Sequence, residues 1–147
     1  MTILRNVLAI ILGLVVGAGV NMSLIMLGPM VIAPPPGMDV TNAESFRASM
    51  HLLEARHFVF PFLAHALGTL AGALAAFLVA GSRGAVFAYL VGTVSLAGGI
   101  AAAFMIPAPA WFIALDLVLA YLPMAWVGIA IGRGLKGSVS GSGDRGA

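Results

Sequence analysis

Two ionisable residues, His65 and Asp116, lie deep inside long apolar runs of this sequence. An imidazole and a carboxylate are groups that acid–base catalysis, proton relay and cation binding all use. Asn21, Ser23 and Thr69 are among the other polar residues of these runs. Thr69 follows His65 by one helical turn and so lies on the same helix face. Asn21, Ser23, His65, Thr69 and Asp116 therefore form the candidate polar pocket for a proton, an ion or a small ligand.

A charged side chain at membrane depth costs about 2.5–3.5 kcal/mol on insertion scales, so it is usually paired and usually marks a site. Two readings stand side by side. His65 and Asp116 lock two helices together, or they serve proton transfer, ion coordination or ligand binding. An acid/base pair in a membrane-embedded enzyme is a further alternative. The sequence carries no nucleophile motif, no metal motif and no sizeable aqueous domain, which leans against an enzyme. It names no cofactor.

His51, Glu54 and His57 raise the question of a metal. The Glu-x-x-His spacing of Glu54 and His57 occurs in di-iron bundles, but those use two such pairs and further glutamates. The two histidines are six apart, which separates them by about 120° around a helix, an awkward angle for one ion. The stronger expectation is a solvated charge ladder of Arg47, His51 and Glu54, with His57 at headgroup level.

The elements that must position these residues follow from hydropathy. Residues 7–33 and 84–106 carry no acidic, basic or histidine side chain, 58–82 carry only His65, and 111–132 carry only Asp116. A spanning helix needs roughly 20 mostly apolar residues. Four spans are expected, at about 5–32, 58–81, 84–106 and 111–132, in a single domain over residues 1–136. Charged residues make up 8% of the chain and mean hydropathy is +1.10, too apolar for one aqueous core. No alternating barrel pattern is present, so an all-α four-helix membrane bundle is expected, with the bilayer as its solvent. The first run is too long for a signal-peptide core and is read as a retained helix.

The basic residues are scattered, which gives no footprint for nucleic acid. There is no cysteine, so thiol redox chemistry and cysteine metal ligation are excluded. Four spans put both termini on one side. That side holds Arg5, Arg83, Arg133, Lys136 and Arg145, against Arg47 and Arg56 on the other. This asymmetry predicts cytoplasmic termini in a multi-pass inner-membrane protein.

Residues 34–36, all proline, should stop the first span. Thr41 and Glu44 have capping-box spacing, which predicts an amphipathic surface helix over about 42–56 in the outer loop. Residues 137–147 read as a flexible cytoplasmic tail. Pro123 should bend the fourth span.

Small residues recur every four positions: Gly13 and Gly17, Gly68 and Gly72, Gly128 and Gly132. In lipid such stripes replace hydrophobic burial as the basis of close helix packing. The second span should be central. The stripes serve intramolecular packing or, alternatively, a homo-oligomer or larger membrane complex. In size and span count alone the chain resembles small multidrug transporters. Those rely on a carboxylate in the first helix, and this first span has none.

Overall fold

The computed structural model describes residues 2–39 and 41–142. The described residues are helical and contain no strand. Helix α1 runs Thr2–Val31, and a short α2 (Ala43–Ser49) lies in the following loop. Then come α3 (Val59–Val79), α4 (Gly84–Met105), α5 (Ala110–Leu119) and α6 (Leu122–Ser142). Four stretches are long and apolar enough to cross a membrane: Thr2–Val31, Ala55–Val79, Gly84–Met105 and Ala110–Ser138. The protein is a four-helix membrane bundle.

Helix α3 is the hub, with α1, α4 and α6 packed around it. Glycine makes this possible. A Cβ added at Gly72 would stand 2.6 Å from the Gly13 carbonyl oxygen, and one at Gly68 2.9 Å from that of Gly17. The backbones of α1 and α3 therefore touch, which gives close van der Waals contact where lipid removes any hydrophobic drive. On another side of α3, a Cβ at Gly128 would lie 2.9 Å from the Leu70 carbonyl oxygen. Gly132 faces the Phe77 ring.

One end of the bundle gathers the start of α1, the α3–α4 turn and the end of α6. Here Arg5 donates to the Val79 carbonyl at 3.3 Å and Lys136 to that of Phe77 at 3.0 Å. Both cations cap the carbonyl end of α3, where the helix dipole favours positive charge. Asn6 accepts from the Gly81 amide at 3.0 Å. The opposite end carries residues 32–58 and the 106–109 turn, and is called the loop end below.

The first loop differs from the single surface helix expected over 42–56. Asn42, not Thr41, is the N-cap of α2, and its side chain accepts from the Glu44 and Ser45 amides. Thr41 instead donates to Asp39 from both its amide and its hydroxyl. The chain turns extended at Leu53 and Glu54, and a one-turn 3-10 helix follows at Ala55–Phe58. The apolar face is used differently as well. Phe46, Met50 and Leu53 pack with Phe58, Phe62 and Phe112 at the entrances of α3 and α5. Breaking the helix lets these side chains reach protein partners.

The fourth span is not one helix. It breaks between α5 and α6 at Ala120 and Tyr121, just before Pro123. Proline has no N–H and is tolerated in the first turn of a new helix, so the break falls ahead of it. At the other end α6 continues to Ser142, beyond Lys136, where a flexible tail was expected. Nothing after Pro123 forbids a helix, because glycine weakens one by about 1 kcal/mol without breaking it. Residues 143–147 of that tail lie outside the described residues.

Candidate polar site within the bundle

His65 and Asp116 each lie six residues inside their helices, at about 9 Å of helical rise from the loop end. Equal depth on neighbouring helices brings them together. Nδ1 of His65 stands 2.9 Å from both carboxylate oxygens of Asp116. Asp116 is only 4% exposed, and the imidazole is half-buried. An unpaired carboxylate at this depth would be costly, so its hydrogen bonds are a condition of the fold.

A third residue completes the group, and sequence reasoning did not find it. The Tyr121 hydroxyl donates to Oδ2 of Asp116 at 3.0 Å. Its ring stacks on that of His65, with centroids 5.8 Å apart and planes 29° apart. Tyr121 reaches this position because it sits in the α5–α6 break. A straight fourth span would aim it by helical period alone. Gly99 of α4 leaves the space for it, since a Cβ there would collide with the phenol oxygen. The pairing of an apolar-run tyrosine with a glycine on a different helix leaves no local mark in sequence.

The group forms one wall of a cavity of about 390 Å³ between α1, α3 and α4. Asn21, His65, Thr69, Ser95 and Tyr121 supply its polar lining. Thr69 is 3% exposed, and it makes no hydrogen bond among the described residues. The same holds for Asn21, for Ser95 and for Nε2 of His65. Asp116 is not part of the cavity surface; it acts from behind His65 and Tyr121.

Of the five candidate pocket residues, Asn21, His65 and Thr69 line the cavity, Asp116 stands behind His65, and Ser23 lies apart from the group. It is exposed on α1 and its hydroxyl returns to the Gly19 carbonyl at 2.8 Å. Residues two apart on a helix point about 200° apart, so Asn21 and Ser23 cannot both face one cavity. Ser95, one of the lining residues, was not anticipated. Its position on α4 becomes relevant only once that helix is known to border the pocket.

His51, Glu54 and His57 take separate partners. Nδ1 of His51 lies 2.9 Å from the Ala48 carbonyl oxygen. Glu54 pairs with Arg56 at 3.1 Å. His57 accepts the Glu54 amide at Nδ1 (3.0 Å) and donates from Nε2 to the Ala33 carbonyl at 3.3 Å, which ties the loop to the chain beyond α1. Among the described residues, no group of three His, Cys, Asp or Glu side chains is placed to hold a metal ion.

No family model matches this chain, and no curated protein or solved structure is significantly similar to it.

Proposed function

We propose that this multi-pass membrane protein is a non-enzymatic binding protein, whose cavity takes a small ligand or a proton at His65. The membrane is the cell's inner membrane, with both termini in the cytoplasm and the cavity in the outer half of the bundle. The observation that carries the reading is the double engagement of Asp116. Its carboxylate accepts from Tyr121 and lies against Nδ1 of His65. A carboxylate so held fixes the hydrogen on Nδ1, as acid-backed histidines generally do. Nε2 is then the nitrogen available to the cavity. It accepts a hydrogen bond or a proton when the ring is neutral, and donates when it is charged. The stacked Tyr121 ring keeps the imidazole from rotating.

Nitrogen NMR of histidine-labelled protein in lipid nanodiscs tests this. The neutral His65 ring is expected with Nδ1 protonated and Nε2 bare. Substituting Asp116→Asn should mix the two tautomers while the fold persists. A neutral ring protonated at Nε2 in the unsubstituted protein would mean that Asp116 is the donor, and the reading would fail.

A further inference from the structure

Building on that reading, we propose that the occupant of the cavity is a lipid-soluble molecule with a neutral, hydroxyl-bearing head, admitted sideways from the bilayer between α1 and α4. Size is the first consideration. A water molecule takes about 30 Å³ of liquid volume, whereas small-molecule sites span roughly 300–1,000 Å³. At about 390 Å³ the cavity suits a compact head group rather than a single ion.

The route follows from the rim. Ala18 of α1 and Val94 and Gly98 of α4 line the cavity and are exposed. Among the described residues, none of the 32–58 loop or the 106–109 turn lines it. Toward the terminal end Val91, 1% exposed, packs against α1, 2.9 Å from where a Gly13 Cβ would stand. Toward the loop end α1 and α3 pack together again, with Gly28 against Phe60. The exposed rim residues thus belong to two spans, which places the opening between α1 and α4, on the side that would face acyl chains.

The head chemistry follows from the unpartnered groups. Thr69, Ser95 and Asn21 both donate and accept, and Nε2 of a neutral His65 only accepts. These polar atoms reach the cavity surface, so an occupant that offers matching hydrogen bonds gains their interaction. A hydroxyl gives one donor to Nε2 and accepts from Thr69 or Ser95. A cationic head would need carboxylate oxygens, but Asp116 lies behind the cavity wall and is already engaged. An anionic head would find no lysine or arginine in the lining.

The absence of cysteine makes the test clean. A Cβ at Gly98 meets nothing within 4 Å, so Gly98→Cys carries a nitroxide label at the mouth without disturbing the fold. In nanodiscs of phosphatidylcholine and phosphatidylglycerol, oxygen, which concentrates in the bilayer, should relax the label more than an aqueous nickel chelate. Added 4-decylphenol should immobilise the label saturably. Thr69→Val, which keeps the side-chain shape, should weaken that effect roughly tenfold, the scale of one hydrogen bond. Decanoate and decylammonium should compete poorly. Nickel access exceeding oxygen access would overturn the lateral route. So would a disulfide linking two copies of the unlabelled Gly98→Cys variant, since a second copy would then fill the gap. Equal binding of all three amphiphiles, or no effect of Thr69→Val, would overturn the head chemistry. Either failure can occur with the His65 tautomer intact. The nitrogen spectrum therefore separates loss of this inference from loss of the binding site itself.

Discussion

Tyr121 and His65 lie face to face, 5.8 Å between ring centroids, while both reach the same Asp116 carboxylate. One acid thus holds two aromatic side chains in register, one from α3 and one from the α5–α6 junction. The three residues join the hub helix to the fourth span at its weakest point, the break in its backbone. Position and chemistry are coupled there.

Removing the phenol oxygen should be felt at Asp116. Tyr121→Phe deletes a donor to a charged acceptor and keeps the ring stack. A loss of about 1.5–3 kcal/mol is expected, the range for hydrogen bonds to charged groups. Reversible SDS unfolding followed by circular dichroism reads it. Unchanged stability would mean that the hydroxyl is dispensable to the fold.

Asp116 separates structure from function. Asp116→Asn keeps an oxygen acceptor and should leave the bundle folded, with a loss of about 1 kcal/mol. Asp116→Leu strands a buried phenol and a half-buried imidazole and should cost about 3 kcal/mol or more. If the pair only locks helices, the asparagine variant should bind 4-decylphenol normally. If His65 is the site, binding should fall at least tenfold in a protein that still folds.

The glycines should sort by what surrounds them. Gly72→Leu and Gly68→Leu should prevent α1 from docking, because their Cβ atoms would meet carbonyl oxygens at 2.6 and 2.9 Å. Even Gly72→Ala should lower stability, by about 1–3 kcal/mol as an overpacked contact. Gly98→Ala should be neutral. Gel filtration and thermal melting in detergent check all four. Folded, stable leucine variants would contradict the backbone contact between α1 and α3.

The proposed orientation rests on charge. Reporter fusions within the 34–41 segment should show alkaline-phosphatase activity, and fusions at Gly141 should show none. Arg5, Arg83, Arg133 and Lys136 belong to the terminal end of the bundle, while Arg47 and Arg56 lie in the loop. The reverse pattern of activity would invert the assignment and turn the cavity toward the cytoplasm.

The spans and the His65–Asp116 pair were legible in sequence because each depends on one local quantity. Hydropathy marks a span, and counting residues from its end gives a depth. What was not legible depends on geometry between elements. Ser23 shares the depth of Asn21, but their helical angles oppose. Tyr121 needed the α5–α6 break and the gap above Gly99, which lie on different helices. In the loop, Thr41 and Asn42 are both good caps, and Asp39 decided between them by engaging Thr41.

The dominance of the α1–α3 contact has a consequence for biogenesis. The chain segment that α1 grips ends at Val79, on the order of 50 residues after α1 itself is complete at Val31. At 5–20 residues per second, synthesis takes roughly 3–10 s to cover that interval. During that time α1 must reside in the bilayer as a lone helix, its glycine-edged backbone facing acyl chains. A run free of charge can wait in that way. Assembly then includes a zippering of α1 onto a helix that did not exist when α1 was inserted, with the His57–Ala33 bond as the clasp between them.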